Sequence, residues 1–231
     1  MSEFVSLEKL SLVDFDGKIA CTLFTKNCNF KCPFCHNKDL ALSKTNTFIP
    51  FEEILSFLKR RIGILEGVCI TGGEPTLMHD LESKIIQIKK LGFKIKLDTN
   101  GYKPDLLKKL IGEGLIDYVA MDIKNSLNKY SITTGIDNID TNKILESINI
   151  LKTCGIEHEF RTTLVKEFHS IEDIEEIANL LEGENKYFLQ KFVNSENCIS
   201  QNLNSISLDV ATEFKEVLEK KISNVYLRGY K

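Results

Sequence analysis

Apolar residues recur along the chain in two alternating rhythms. At Phe51, Ile54, Leu55, Leu58 and Ile62 they fall every three or four positions, the spacing that lays one stripe along a helix, and Pro50 suits its first turn. The same rhythm returns at Leu81, Ile85, Ile88 and Leu91; at Leu106, Leu107 and Leu110; at Ile144, Leu145, Ile148 and Leu151; at Ile171, Ile174, Ala178 and Leu181; and at Val210, Phe214, Val217 and Leu218. Six helices are predicted. Strand-like runs lie before and between them at 19–25, 68–71, 93–98, 118–122, 159–165 and 187–192, with a further short strand at 225–228. A strict strand-then-helix alternation calls for parallel strands joined by right-handed helical crossovers, so the fold class is α/β, either a barrel or a doubly wound sheet. No Gly, Ser or Pro linker divides the chain. Residues 1–231 therefore read as one domain of about six βα units, with a core over about 11–192 and a C-terminal helix and short strand within 205–231.

Composition narrows the function. Hydrophobic residues make up 42% and charged residues 27% of 231, enough to bury a sizeable core and too ordinary for a disordered or collagen-like chain. Thirty Lys and Arg stand against 33 Asp and Glu, a net charge of −3, which gives no overall pull toward nucleic acid or an anionic membrane. No apolar run reaches the roughly 18–20 residues of a membrane span, and residues 1–12, with Glu3 and Glu8, lack the order of a secretory leader. A cytoplasmic protein without membrane or nucleic-acid partners is expected.

Cysteine is where candidate chemistry enters. Of seven cysteines, Cys21, Cys69, Cys154 and Cys198 are scattered and read as small hydrophobes, whereas Cys28, Cys32 and Cys35 crowd one loop directly after the first predicted strand. Sites in parallel α/β folds are built at that end of the strands. Gaps of three and two residues let such a loop wrap one face of an iron–sulfur cubane, one thiolate per iron, and leave one iron open to a small molecule. A structural zinc would want a fourth ligand that His36, next to Cys35, is poorly placed to give. A Cys32-Pro33-Phe34-Cys35 dithiol would leave Cys28 unexplained.

Cys28-Asn29-Phe30-Lys31-Cys32-Pro33-Phe34-Cys35-His36-Asn37, with the lead-in Ser11-Leu12-Val13-Asp14-Phe15-Asp16-Gly17-Lys18-Ile19, resembles the radical S-adenosylmethionine enzymes. Within them it looks like the activating proteins of glycyl radical enzymes, above all the anaerobic ribonucleoside-triphosphate reductase branch, over about residues 11–192. The resemblance implies a partial TIM barrel, a (β/α)6 radical SAM core, with one 4Fe–4S cluster at its mouth. S-adenosylmethionine would be cleaved there to a 5′-deoxyadenosyl radical that takes a hydrogen atom from a glycine of a large partner enzyme. A flavodoxin or ferredoxin would supply the electron. Two alternatives stand beside this: a radical SAM enzyme acting on a small molecule, like 7-carboxy-7-deazaguanine synthase, and a non-catalytic metal or thiol-redox module.

Other strand ends add candidates. Thr71-Gly72-Gly73-Glu74-Pro75 could be a plain turn, but beside the cysteine loop the glycines would let backbone approach a ligand and Glu74 would hold a cationic amine. The resemblance gives Gly72, Gly73 and Glu74 that role on the methionine moiety. The next strands end at Asp98-Thr99-Asn100 and at Asp122-Ile123-Lys124. Asp122 and Lys124 fall on one strand face with Asp98 expected at the same height, the carboxylates suited to ribose hydroxyls or a cation and Lys124 to the methionine carboxylate, or else all three form a weak surface pair. By resemblance these ends, Asn100 included, line the S-adenosylmethionine site, and Asp98 and Asp122 help bind an alkali cation. Glu159, Arg161 and Thr163 put a polar stripe on one face of a buried strand, so Arg161 is either a carboxylate clamp or the partner of Glu159 or Asp122. Gln190 stands where related activases often have histidine. His79, His158 and His169 lack metal spacing and read as surface or capping residues.

Overall fold

The structure, a computed structural model, describes residues 4–45 and 47–230. Residues 1–3, part of the segment read above for a leader, lie outside the described residues, as do Asn46 and Lys231. Strands β2 (Ala20–Thr25), β3 (Gly67–Gly72), β4 (Lys94–Thr99), β5 (Tyr118–Asp122), β6 (Glu157–Leu164), β7 (Lys186–Lys191) and β8 (Asn224–Arg228) lie side by side in chain order, each parallel to the next. Helices α2 (Phe51–Lys59), α3 (Leu81–Lys89), α4 (Pro104–Gly112), α6 (Thr141–Cys154), α7 (Ile171–Leu180) and α8 (Leu208–Glu219) make the crossovers, matching the six apolar stripes. The sheet runs from edge to edge without closing, which is the partial TIM barrel.

Among the described residues, one strand and two α-helices escaped the pattern. Strand β1 (Phe4–Ser11) pairs antiparallel with β2 and forms one edge. Register shifts between Phe4 and Ser6 and between Glu8 and Ser11 interrupt its alternation, so period two is not legible there. Helices α1 (Lys38–Ala41) and α5 (Tyr130–Thr134) are one turn each, too short for an apolar stripe. Local chemistry sets the longer helices: α7 opens on a capping box in which Asp173 accepts from the Ser170 N–H at 2.8 Å, and α6 ends on Gly155 in the left-handed region.

The core lies between sheet and helices, where Leu23, Ile70, Leu97, Val119, Phe160 and Leu189 meet the helical stripes; one apolar cluster extends from Phe4 to Val225. At the strands' N-terminal ends the β1–β2 loop folds over the sheet. Phe15, 2% exposed, packs against Tyr118 with ring centroids 5.9 Å apart. That end is plugged, and the opposite end carries the cysteines. Among the described residues no helix is long and apolar enough to cross a membrane.

Candidate active site

Cys28, Cys32 and Cys35 are carried on the loop after β2, and backbone hydrogen bonds fix its course. The Asn27 and Cys28 N–H groups donate to Leu40 and Ala41 at 2.9 and 3.2 Å, and the Lys31 N–H donates to Thr134 at 2.8 Å. The two short helices missed by periodicity are thus the buttresses of the cysteine loop. The chain after β7 clasps it from outside, with the Ser200 N–H donating to the Pro33 carbonyl at 2.8 Å and Lys38 donating to the Glu196 carbonyl.

All seven cysteines are free thiols. Cys28, Cys32 and Cys35 border a single cavity of about 260 Å³ that the loop after β2 and the ends of β3 to β7 surround. Burial pushes the Cys28 thiol up to about 12 and the Cys32 thiol to about 11, and raises Cys35 as well. Thiols held neutral in this way give up their protons to metal rather than to solvent. Among the described residues no three His, Cys, Asp or Glu side chains converge on a point for one metal ion. A cubane asks for something else, three thiols around one cavity with each sulfur on its own iron, and these residues fit it. The Cys28 sulfur also faces donors: the Phe30 N–H at 3.4 Å and Asn100 Nδ2 at 3.9 Å, the latter also donating to Asn29 Oδ1 at 2.8 Å. Cys21 and Cys69 are buried in strands, as expected.

The double glycine meets protein backbone first. A Cβ on Gly73 would lie 2.1 Å from the Asn27 carbonyl oxygen, and one on Gly72, which has φ +117, 2.5 Å from the backbone of Thr25. The Gly73 and Glu74 N–H groups donate to Thr25 and Asn27 carbonyls at 2.9 and 2.7 Å. These N–H groups, expected to face a ligand, are therefore spent on locking the loop after β3 to the cysteine loop. Gly73→Ala is expected to force the two loops apart at a cost of about 2 kcal/mol, lowering the melting temperature by about 4–8 °C. Calorimetry checks this; an unchanged melting temperature would mean that the loops slide freely.

Glu74, 2% exposed, turns its carboxylate the other way, toward the loop after β4. Its Oε1 accepts from the Thr76 N–H at 3.1 Å, from the Thr76 hydroxyl and from the Thr99 hydroxyl at 2.7 Å, while Oε2 accepts only from the Asn100 N–H at 2.8 Å. Burial raises its pKa against these bonds. The carboxylate is thus a strut between the loops after β3 and β4, and Oε2 is the atom left for an amine.

Asp98, Asp122, Lys124, Arg161, Asn100 and Gln190 line the cavity together with Gly72, Gly73 and Glu74, so the sequence-predicted residues gather in one place. Register corrects one detail. Asp98 pairs with Ala120 and not with Asp122, so the two carboxylates stand at different heights. Arg161, in register with Asp122, spans the step by donating from Nε to Asp122 at 2.8 Å and from Nη1 to Asp98 at 3.1 Å. Of the two partners weighed for it, Asp122 is found; Glu159 instead accepts from the Tyr118 hydroxyl at 2.8 Å. Lys124 donates to the other Asp122 oxygen at 3.0 Å. These are partly buried ion pairs and not the weak surface contact weighed above. Against burial, which favours the neutral acid, Arg161 and Lys124 hold Asp122 down at about 2.

Two histidines depart from expectation. His169, 6% exposed, is no surface residue: Nε2 lies 3.0 Å from the Lys124 carbonyl and Nδ1 3.1 Å from Val165, which fixes the backbone carrying Lys124, and burial keeps the ring neutral. His158 is half-buried against Glu184 at 2.7 Å. His79 is exposed as read. Sequence reasoning passed over Thr99, which braces Glu74, and Lys96, which stands 3.2 Å from Asp98. Lys96 was findable: it shares a strand face with Asp98, and the alternation argument applied to Glu159, Arg161 and Thr163 applies equally there.

A cysteine-edged cavity at the C-terminal mouth of an open parallel barrel defines a class. The chain matches the family model described as the Radical SAM superfamily over residues 22–181 and belongs to that superfamily. It is accordingly an enzyme using a 4Fe–4S cluster and S-adenosylmethionine. A Methanocaldococcus jannaschii protein bearing the name "Putative glycyl-radical enzyme activating enzyme" is 33% identical over 95% of this chain and 92% of its own length. A pyruvate formate-lyase-activating enzyme of Clostridium pasteurianum is 28% identical over 79% of this chain and 77% of its own. Among solved structures, Streptococcus suis SuiB bound to S-adenosylmethionine shares the fold with a TM-score of 0.69 at 17% identity, over 88% of this chain and 48% of SuiB, so the chain spans about half of that protein. Membership sets aside the non-catalytic alternative.

Proposed function

We propose that this enzyme activates a glycyl radical enzyme, and that its protein substrate is an anaerobic ribonucleoside-triphosphate reductase. The observation that carries the reading is the single cavity on which the Cys28, Cys32 and Cys35 thiols meet the Asp98, Asp122, Lys124 and Arg161 side chains. Near-full-length likeness to glycyl-radical enzyme activating relatives supports the activase part. The choice of reductase rests on the resemblance of residues 11–37 stated above. Cys28, Cys32 and Cys35 would hold the cluster through three irons. The chemistry supplied there is one-electron cleavage of S-adenosylmethionine to methionine and a 5′-deoxyadenosyl radical.

The chain's own residues bind and orient. Lys124, fixed by Asp122 and by the His169 bond to its carbonyl, presents an ammonium for the methionine carboxylate. Glu74 Oε2, beside the Gly72–Gly73 backbone, receives the amine. Asp98 and Asp122, kept ionised by Arg161, accept from ribose hydroxyls, and Gln190 offers an amide where an imidazole is usual. The Phe15 plug keeps water from entering at the far end of the barrel. A flavodoxin or ferredoxin donates the electron, in the cytoplasm.

The test is anaerobic incubation of the reconstituted enzyme with reductant, S-adenosylmethionine and a cognate reductase. Electron paramagnetic resonance is expected to detect a glycyl radical on the partner, absent when its glycine is alanine. No radical on any glycyl radical enzyme of the same organism, with turnover of a small molecule instead, would favour the deazaguanine-synthase-like alternative.

A further inference from the structure

Beneath the cavity, β4 carries a second charge on the face that bears Asp98. Lys96 is 4% exposed; its ammonium donates to the Asp14 carbonyl at 2.6 Å and lies 3.2 Å from Asp98 Oδ1. Asp98 Oδ2 has Arg161 at 3.1 Å, Asp122 Oδ1 has Arg161 at 2.8 Å, and Asp122 Oδ2 has Lys124 at 3.0 Å. Every oxygen of the two carboxylates thus faces a cationic nitrogen, three cations against two anions. The layer below, with the Asp14, Asp16 and Glu159 carboxylates against Lys186 and Arg228, balances the extra cation above and leaves no negative charge over. Asp16 holds Lys186 at 2.6 Å, Glu159 lies 4.0 Å from Lys186 and 3.9 Å from Arg228, and the Asp14 carboxylate accepts from Thr22 at 2.6 Å.

An alkali ion between Asp98 and Asp122, as the resemblance implied, needs carboxylate oxygens free to replace its water shell and an excess of negative charge to hold it. Each oxygen keeps a lone pair that can accept from a hydroxyl, but each already faces a cationic nitrogen and no negative charge is left over, so the residues do not fit the ion. We infer that Lys96 supplies, as a fixed part of the chain, the positive charge that such an ion would bring to Asp98, and that S-adenosylmethionine binds here without a monovalent metal cation. The inference rests on the cavity being the S-adenosylmethionine site. Lys96 does not line that cavity and acts through Asp98, as a positioning residue.

The experiment measures the dissociation constant of S-adenosylmethionine for the cluster-loaded protein under anaerobic conditions, in choline, sodium and potassium chlorides at one ionic strength. For the unaltered enzyme the three values are expected to agree within about twofold, and for Lys96→Ala, which opens room for an ion, binding in choline should weaken about tenfold and recover in sodium or potassium. Lys96→Met fills the room without charge and should be weak in all three salts. A value for the unaltered enzyme that rises about fivefold or more in choline would overturn the inference. So would Lys96→Ala that binds as tightly as the parent in choline, or weakly with no recovery in either salt. The salt series on the unaltered enzyme decides by itself if the variants do not fold. Absence of binding in every salt, with the cluster intact, would take down the functional reading and the inference with it, an outcome distinct from salt-dependent binding.

Discussion

Alanine in place of any one of Cys28, Cys32 and Cys35 is expected to take the iron held after anaerobic reconstitution from about four per chain to near zero. The three thiols border one cavity, and no other cysteine borders it. With only two thiolates a cubane would present two unprotected irons to solvent. Each of the three is buried enough to stay protonated without metal, so a lone remaining pair gains little affinity from its own ionisation. Cys198→Ala is the control: this thiol is fully buried outside the cavity, 3.8 Å from His36 Nδ1, and its loss should leave iron content unchanged. Iron analysis with visible and Mössbauer spectra reads the result. A parent protein with about eight irons, or a full cluster surviving the loss of one of the three thiols, would defeat the assignment.

Arg161→Met is expected to destabilise the protein by about 3–5 kcal/mol, because it leaves two partly buried carboxylates on neighbouring strands without the cation they share. The guanidinium bonds Asp122 and Asp98 at once, and the three side chains are 11%, 29% and 14% exposed, so solvent stands in for it only in part. The acid limb of the stability curve gives the sign. Asp122 titrates at about 2 in the folded protein against a reference of 3.8, so its contribution is fully present above about pH 4 and is lost as pH falls toward 2. Without Arg161 the folded-state pKa rises toward or past 3.8, so this part of the acid limb flattens and the deficit relative to the parent should shrink as pH falls below about 4. Denaturant titrations at pH 7 and at about pH 3 measure both effects. A loss below about 1 kcal/mol at pH 7 would mean that Lys96 and Lys124 suffice. Arg161→Lys should recover only part, since one ammonium cannot reach both aspartates in the geometry of Nε and Nη1.

How far the sequence could be read depended on what each feature needs. Helices α2, α3, α4, α6, α7 and α8 were visible because each buries one stripe against the sheet, which writes a period of 3.6 into the chain. Strands β2, β3 and β5 were visible as largely apolar runs because both faces of most residues are covered, and β4 and β6 as alternating segments with one face toward the polar interior. β1, an edge strand with two register shifts, and the one-turn α1 and α5 leave no periodic trace. The stripe through Arg161 pointed to a wet interior face. The same alternation at Lys96 and Asp98 went unread because the strand looked complete from its end.

By itself the sequence determined which chemistry was available. Three thiols on one short loop, a double glycine before an acid, and charged residues closing successive strands are properties of residue type and spacing, and neither changes when the chain folds. Tertiary structure alone decided what each group is free to do. The glycines spend their approach and the neighbouring N–H groups on the cysteine loop and the end of β2, Glu74 uses both oxygens at the junction of two loops, and Arg161 shares itself between aspartates that register sets at different heights. Those outcomes depend on which partners lie within about 3 Å in a medium that poorly solvates an unpaired charge. Partners such as Asp14 and Lys96, 82 residues apart, or Asp98 and Arg161, 63 apart, meet only once the strands between them are laid side by side.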